Sequence, residues 1–191
     1  MPQYRRARIS GSVIFITCVT YQRQPIFSTE ENIHLLRHAI AQTRRERPFE
    51  IVGAVILPDH LHFLWQLPPD DCDYSSRVGI FKVLFTRALR GQEHPSKNLS
   101  LSRQKHRERD VWQRRFWERS LDEQQDINHY LDYIHYNPVK HQLASCPHAW
   151  QYSSFTRYVE KGLYSESWAC RCETPLSTLP DFSKISGLVG E

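Results

Sequence analysis

Two short segments, far apart in the chain, carry side chains that can bind a metal ion and attack a substrate. His60-Leu61-His62 lies inside a hydrophobic run, and the segment from Tyr133 to Asn137 closes a helical pattern. Two imidazoles can hold a divalent cation, and a phenol ionises more readily than a serine hydroxyl. Together these residue types indicate one metal-assisted nucleophilic site.

Strand geometry decides whether the two histidines can share one cation. Side chains alternate between the two faces of a strand, so His60 and His62 point the same way and Leu61 points the opposite way. Both imidazoles can therefore reach one ion. The alternative is that one histidine caps the hairpin and the other packs in the core, because His-x-His pairs are common without a metal.

Helical periodicity selects among the tyrosines of the second segment. At about 100° per residue, one stripe of the helix is apolar and predicted to be buried. The stripe consists of Ile127, Leu131 and Ile134. Tyr133 and Asn137 lie one turn apart on the flank of this stripe, where the helix meets the sheet. Tyr130 falls closer to the core and Tyr136 opposite the stripe, so the periodicity favours Tyr133 as the phenol beside Asn137.

Pro138 sets the predicted end of this helix. A proline disfavours the helical conformation of the residue before it, so we expect the helix to end at Asn137 with its amide turned outward. Taken alone, an amphipathic helix with a C-terminal asparagine before proline explains the same residues without any chemistry.

The hydrophobic pattern predicts the order strand, helix, strand, strand, helix, strand, helix. The predicted strands span residues 13–21, 49–57, 60–67 and 111–119. The predicted helices begin at Ser28 or Thr29, at Ser75 or Ser76 and at Asp122, and they end near Pro48, Gly91 and Asn137. This order is typical of a ferredoxin-like α+β fold with an antiparallel sheet, and we expect the helices to cover one face of that sheet.

Length and composition indicate one folded unit with a tail. The chain has 191 residues, of which 40% are hydrophobic, enough for one substantial core. We expect residues 1–164 to form the domain that carries both segments, with a basic N-terminal arm, and residues 165–191 to form an irregular tail. Residues 92–110 are polar and basic, and we expect a flexible loop there.

Net charge and cysteine content indicate the cellular compartment and the kind of binding partner. The net charge of +4 and the isoelectric point near 8.8 suit a polyanionic partner without proving one. Five scattered cysteines and a polar, basic start predict a reducing, cytoplasmic setting. No apolar run approaches the roughly 20 residues that cross a bilayer, so we expect no membrane association. Cys170-x-Cys172 lacks a second pair at zinc-ribbon spacing, so the spacing does not predict a zinc site there.

Three segments of the chain resemble the REP-associated tyrosine transposases, which are domesticated single-tyrosine HUH transposases of the IS200-like kind. These segments are Ile-Leu-Pro-Asp-His-Leu-His-Phe at 56–63, Trp-Gln-Arg-Arg-Phe-Trp-Glu at 112–118 and Tyr-Ile-His-Tyr-Asn-Pro-Val-Lys at 133–140. The opening Tyr4-Arg5-Arg6 and the segment Trp150-x-Tyr152-Ser153-Ser154 are also similar to that family. The resemblance therefore spans most of residues 4 to about 164.

The resemblance implies a role for each residue of the two segments. His60 and His62 would be the metal ligands of the HUH motif, Asn137 the third ligand and Tyr133 the nucleophile. The implied cofactor is Mg²⁺ or Mn²⁺, although two imidazole ligands by themselves favour Mn²⁺ or a later metal over Mg²⁺.

The resemblance also implies a substrate and a reaction. The substrate would be single-stranded, hairpin-forming DNA of repetitive extragenic palindromes. Attack on a phosphodiester would give a 5′-phosphotyrosyl enzyme and a free 3′-hydroxyl that can rejoin strands. The implied assembly is a monomer rather than a homodimer, associated with the nucleoid through DNA.

Basic and aromatic side chains outside the two segments are candidates for contact with that DNA. The basic candidates are Arg5, Arg6, Arg8, Arg114, Arg115 and Lys140, which can bind phosphates. The aromatic candidates for stacking on bases are Tyr4, Trp112 and Trp117. The alternative is a solvated charged surface with buried indoles.

Two other functions stay open beside the transposase. One is a catalytically silent protein that keeps the fold and binds hairpin DNA. The other is an unrelated phosphodiesterase in which a histidine-bound metal activates water. Since all three predict affinity for nucleic acid or phosphate, only a test of the covalent step separates them.

Overall fold

Four antiparallel strands form one sheet at the centre of the molecule. The computed structural model describes residues 9–90, 111–172, 179–187 and 189–190; the arginines at 5, 6 and 8 and the predicted loop at 92–110 lie outside these residues. The strands are β1 (Val13–Val19), β2 (Glu50–Ile56), β3 (His60–Gln66) and β4 (Trp117–Leu121). Their order across the sheet is β2-β3-β1-β4, which leaves β3 and β1 in the middle.

Helices cover both faces of this sheet. The three long helices are α1 (Glu30–Glu46), α2 (Tyr74–Arg90) and α3 (Gln124–Lys140). Two short helices follow, α4 (Phe155–Glu160) and α5 (Ser183–Ser186). The antiparallel sheet and the α+β class are confirmed. The expectation of helices on one face holds for α1 and α2, whereas α3 packs on the other face. No helix in the described ranges is long and apolar enough to cross a membrane.

Residue alternation along β1 explains why both faces are covered. All seven residues of β1 are buried, and five of them are apolar and β-branched or aromatic. Ile14 and Ile16 pack toward α1 and α2, while Val13 and Phe15 pack toward α3. A strand that is apolar on both sides needs a layer on each side, because one exposed face would leave large side chains in water.

Helices α1 and α2 each begin directly after a residue whose side chain caps the helix N-terminus. The side chain of Thr29 accepts a hydrogen bond from the backbone N–H of Asn32, which confirms the predicted start of α1. The second helix starts earlier than Ser75 or Ser76, because the Asp73 carboxylate accepts from the backbone N–H of Ser76 at 3.1 Å and fills the capping position.

Two predicted boundaries are wrong. The last long helix does not end at Asn137 but runs through Pro138 to Lys140. Pro138 lacks the N–H that would donate within the helix. The helix nevertheless continues because the following turn keeps its hydrogen bond, in which the backbone N–H of His141 donates to the carbonyl of Asn137 at 2.9 Å. The fourth strand begins at Trp117 rather than at residue 111, since the preceding residues form an isolated bridge between Trp112 and Thr20 instead of a continuous ladder with β1.

A glycine in β2 lets α3 lie close to the sheet. The pairing of β2 with β3 shifts register between Ile51 and Gly53. A Cβ atom at residue 53 would lie 2.6 Å from Cδ1 of Leu131 on α3, so a side chain there would push against the helix. The absence of a side chain helps to set how near α3 comes to β3.

A buried arginine joins the end of α1 to the start of α2. Arg77 is only 2% exposed. Its guanidinium donates to the carbonyl of Pro48 at 2.9 Å, to the carbonyl of Asp73 at 2.8 Å and to the Asp71 carboxylate at 2.6 Å. The hydrogen bond from Arg77, followed by the one from the backbone N–H of Asp73, lowers the pKa of Asp71. One side chain therefore satisfies several acceptors of the connection between β3 and α2.

Replacing Arg77 with alanine should destabilise the protein by about 3 kcal/mol, because the buried acceptors lose their donor and a cavity remains. Urea denaturation followed by circular dichroism measures the change. Arg37→Ala, on the exposed surface of α1, is the matched control and should stay within about 0.5 kcal/mol of wild type. Equal stability of the two variants would contradict the importance of this cluster.

Candidate active site

The two histidines lie side by side on the central strand β3. His62 pairs across from Thr17 of β1 and His60 from Val19. The two imidazoles are 1% and 0% exposed, and their ring centroids are 5.1 Å apart. Because they alternate with Leu61, they lie on the face covered by α3. The structure thus brings the histidine pair to the same side of the sheet as the helix that carries Tyr133.

A carboxylate fixes the tautomer of His60. Nδ1 of His60 lies 2.6 Å from Oδ1 of Asp59, and Arg23 donates to Oδ2 of the same carboxylate at 2.9 Å. Burial opposes ionisation of Asp59, but the hydrogen bonds from His60 and Arg23 outweigh it and lower the pKa of the carboxyl to about 2. An ionised carboxylate can only accept, so Nδ1 of His60 carries a proton and donates it to Asp59.

A hydroxyl fixes the tautomer of His62 in the same sense. Oγ1 of Thr17 lies 2.9 Å from Nδ1 of His62 and donates its only hydrogen to the backbone carbonyl of Val189. The hydroxyl must therefore accept from His62, which places a proton on Nδ1. In the neutral form of both rings, Nε2 would be the unprotonated nitrogen.

Tyr133 and Asn137 occupy one turn of α3 against this face. Both side chains are fully buried. The Tyr133 ring centroid is 5.6 Å from that of His62. Nδ2 of Asn137 donates to the backbone carbonyl of Tyr133 at 3.0 Å, which orients the amide. Its Oδ1 is buried and accepts no hydrogen bond from the described part of the chain.

These donor atoms suit a divalent cation. Two histidines on one face of a strand are typical metal ligands, and a buried amide oxygen without a donor among the described residues gains an interaction when it binds a cation. The hydrogen bonds to Nδ1 of both histidines are the outer contacts that usually accompany metal-binding imidazoles. Within this set, His60, His62 and Asn137 are the residues that would hold the ion.

Lys140 lies at the phenol rather than on the outer surface. Its Nζ donates to the Tyr133 hydroxyl at 2.8 Å and sits 4.9 Å from the ring centroid. The two residues are seven apart, which is two turns of a helix, and the continuation of α3 through Pro138 creates this contact. The sequence assigned Lys140 to DNA contact, whereas the structure gives it a place beside the candidate nucleophile.

His141 is a neighbour of the site that the sequence patterns did not identify. It follows Lys140 directly and lies one turn after Asn137, and its ring centroid is 5.1 Å from that of His60. The signal in the sequence was the four-residue spacing from Asn137, which extends beyond the predicted helix end. A helix that continues through Pro138 brings this third imidazole to the histidine pair.

The C-terminal segment covers the tyrosine. The ring of Phe182 lies 5.5 Å from the ring of Tyr133 and 5.5 Å from that of Tyr136. Val189 is fully buried, and its carbonyl binds Thr17. Tyr136 is therefore a packing contact of this segment rather than an open surface residue. Tyr133 is fully buried beneath this segment in the described structure.

The basic and aromatic candidates for DNA contact separate into three groups. Arg114 and Arg115 are exposed, and Arg115 lines a cleft of about 360 Å³ beside Thr17 and Trp117. Trp112 is wrong as a stacking residue, because its indole packs in the core against Phe27, with ring centroids 5.6 Å apart. The N-terminal candidates Tyr4, Arg5, Arg6 and Arg8 lie outside the described residues.

A family model described as "Transposase IS200 like" matches residues 9–137, which include β1 to β4 and the whole of α3 as far as Asn137. The matched span contains His60, His62, Tyr133 and Asn137. The chain therefore belongs to the IS200-like transposases, a class of DNA-cleaving enzymes.

Individual relatives narrow this class. The chain is 42% identical to a protein of Haemophilus influenzae named as a REP-associated tyrosine transposase, over 88% of this chain and 93% of the relative. It is 39% identical to the REP-associated tyrosine transposase of Escherichia coli, over 88% and 92% of the two chains. A solved structure of a REP-associated tyrosine transposase bound to a REP hairpin matches with a TM-score of 0.77 at 36% identity, over 100% of this chain and 98% of that one. Within its class the chain falls among the REP-associated tyrosine transposases.

The tautomer assignment can be tested directly by ¹⁵N NMR of the imidazole nitrogens. Both His60 and His62 should carry the proton on Nδ1 in the wild-type protein. Thr17→Val removes the acceptor of His62 alone, so the His62 signals should move toward a mixture of tautomers while His60 serves as the internal control. An unchanged His62 spectrum in Thr17→Val would contradict the assignment.

Proposed function

We propose that this chain cleaves and rejoins single-stranded, hairpin-forming DNA of the REP type through a covalent bond to Tyr133. The observation that carries the proposal is the position of the Tyr133 phenol, beside the Lys140 ammonium and against His62, with the rings of His60 and His62 on the same face of the sheet. The relative that was solved with a REP hairpin supports the substrate class.

In the proposed reaction the Tyr133 oxygen attacks the phosphorus of a DNA phosphodiester. The phenol loses its proton, the bond from phosphorus to the 3′ oxygen breaks, and that oxygen takes up a proton. The products are a 5′-phosphotyrosine and a free 3′-hydroxyl. Because a phenolate is a good leaving group, a 3′-hydroxyl can later attack the adduct and rejoin strands without ATP.

Lys140 favours the reactive form of the nucleophile. A cation 2.8 Å from the phenol oxygen stabilises the negative charge that forms there. In a buried site this interaction is stronger than in water. The same ammonium would stabilise the phenolate when rejoining releases it.

His60, His62 and Asn137 are the proposed ligands of a Mn²⁺ or Mg²⁺ ion. When bound, the ion neutralises charge on the phosphate and aligns the phosphorus for in-line attack. The two imidazoles favour Mn²⁺, since Mg²⁺ prefers oxygen ligands. Asp59 and Thr17 support the site by holding the histidines in the tautomer that can bind.

Tyr133→Phe should abolish the covalent adduct. The test incubates the full chain with a single-stranded REP hairpin oligonucleotide and Mn²⁺ or Mg²⁺, then separates the products by denaturing electrophoresis. Wild type should give a protein band that carries DNA. Tyr136→Phe is the matched control, because it removes the hydroxyl of a neighbouring tyrosine on the same helix and should keep the adduct.

Two negative results of this test would each favour one of the other two functions, and a third result would bear on the metal. Cleavage that persists in Tyr133→Phe without an adduct would favour metal-activated water. Hairpin binding without cleavage under either metal would favour a catalytically silent protein. Cleavage that survives both His60→Ala and His62→Ala would remove the metal assignment while leaving the tyrosine in place.

Lys140→Met should slow cleavage by about 10²-fold at neutral pH, because the phenolate loses its cation. The loss should shrink as pH rises, since hydroxide then supplies the phenolate. The salt dependence of hairpin binding should stay as in wild type.

Arg115→Met is the comparison variant, because Arg115 is exposed beside the site. It should reduce the slope of binding against salt by about 1, with little change in the rate of bound substrate. If Lys140→Met instead lowers the salt slope and spares the rate, Lys140 contacts DNA phosphate and not the nucleophile.

A further inference from the structure

Four side chains that can bind a metal ion lie close together near the turn that follows α3. Cys146 and His148 come from this turn, and Cys170 and Cys172 come from the segment after α4. The sequence spacing did not predict a zinc site, because Cys170-x-Cys172 has no partner pair at the usual distance along the chain. The fold supplies that partner as Cys146-x-His148.

The ligand atoms lie at separations that suit one tetrahedral ion. Sγ of Cys146 is 3.3 Å from Sγ of Cys172, and Sγ of Cys170 is 3.8 Å from Nδ1 of His148. One ligand atom each of Cys146, His148 and Cys170 lie within 4.8 Å of one another. Around a tetrahedral zinc ion, with sulfur at about 2.3 Å and nitrogen at about 2.0 Å, neighbouring ligand atoms are about 3.5 to 3.8 Å apart.

In the structure the sulfurs of Cys146 and Cys170 form a disulfide. This bond accounts for two of the four groups. It does not explain why the Cys172 thiol lies against Cys146 or why the His148 ring lies against Cys170. The chain has five cysteines, an odd number without an evident pairing scheme, and its pattern predicts a reducing setting.

We propose that, with the thiols reduced, Cys146, His148, Cys170 and Cys172 bind one structural Zn²⁺. Three thiols lose their protons on binding, and the imidazole binds in its neutral form. Four protein ligands close the coordination shell, which is the arrangement of a structural rather than a catalytic zinc. Thiolate sulfur also selects Zn²⁺ over Mg²⁺ or Mn²⁺, so this site and the proposed site at His60 and His62 would take different metals.

The surroundings of the cluster are already organised. Cys146 and Cys170 are buried, whereas His148 and Cys172 are exposed and leave a path for the ion. The backbone N–H of Arg171 donates to the carbonyl of Ser145 at 2.9 Å, which holds the two chain segments in register. Nδ1 of His148, the atom that faces Cys170, also lies 3.0 Å from the carbonyl of Glu166, so zinc binding through Nδ1 would replace this hydrogen bond.

A zinc ion here would attach the segment around Cys170 to the turn that ends α3. The same helix carries Tyr133 and Asn137, and the C-terminal segment that covers Tyr133 begins shortly after Cys172. The ion would therefore hold Cys170 and Cys172 in place, and these residues precede that segment in the sequence.

The test purifies the full chain with a phosphine reductant and without chelators, then measures metal by mass spectrometry. Wild type should contain about one zinc ion per chain. Cys172→Ser and His148→Ala leave the disulfide cysteines intact, and each should weaken zinc binding by about tenfold or more in competition with a chromophoric chelator. Cys72→Ser is the matched control and should bind zinc as wild type does.

Two further measurements keep the assignment specific. His60→Ala/His62→Ala should retain the zinc, and Co²⁺ substitution should give the strong visible bands of tetrahedral thiolate coordination, altered in Cys172→Ser. Loss of zinc in the histidine double variant but not in Cys172→Ser would overturn the proposal. A reduced, folded wild-type chain that binds neither Zn²⁺ nor Co²⁺ would overturn it as well.

Discussion

The register of β3 against β1 is the constraint on which the active site depends. Because side chains alternate along a strand, a shift of one residue would send His60 and His62 to the face of α1 and α2 and would bring Leu61 and Phe63 to the face of α3. Neither face would tolerate the exchange, since two buried imidazoles would enter an apolar layer. The apolar packing that stabilises the sheet therefore also specifies where the chemistry can occur.

The same register brings the outer contacts of the histidines into place. Thr17 reaches His62 because it lies directly opposite on β1. Asp59 reaches His60 because it occupies the hairpin turn just before β3, where the backbone N–H of Leu57 donates to the carbonyl of His60 at 2.8 Å. Sheet pairing thus orients both rings in advance of the proposed metal binding, so little conformational freedom would be lost if an ion bound.

Period and alternation could be read from the sequence, and they located most of the site. A period of two placed His60 and His62 on one face, and a period of 3.6 placed Tyr133 and Asn137 on one flank of α3. The rest required contacts between segments that no local pattern encodes. Pro138 predicted a helix end at Asn137, whereas the helix continues to Lys140 in the folded protein. The sequence therefore did not predict the positions of Lys140 and His141.

The cysteines and the aromatic residues show the same limit. The meeting of Cys146 with Cys170 depends on how the chain returns after α4, which spacing alone does not reveal. Trp112 lies in a segment rich in arginine and aromatic residues, a composition that suits nucleic-acid binding, yet its indole packs against Phe27 and Phe85. Composition indicated a surface, whereas burial of the large ring stabilises the core.

The histidine within the segment from Tyr133 to Asn137 has a different environment from His60 and His62. His135 lies between Tyr133 and Asn137 in the sequence but faces away from them, packed against Phe155 and bonded to Ser154 at 2.8 Å. Burial, aided by the nearby Arg157 cation, lowers the pKa of His135 to about 3, so it stays neutral at physiological pH. His135 packs α3 against α4. One side of α3 therefore carries the candidate catalytic residues, and the other side packs against the rest of the fold.

The hydroxyl of Thr17 has one hydrogen, and the C-terminal segment holds it. While the Val189 carbonyl accepts that hydrogen, His62 must donate from Nδ1. If the segment were displaced, the hydroxyl could rotate and donate to His62 instead, and the imidazole proton would then move to Nε2. Docking of Val189 and the position of that proton would then be thermodynamically linked, each biasing the other by the same free energy.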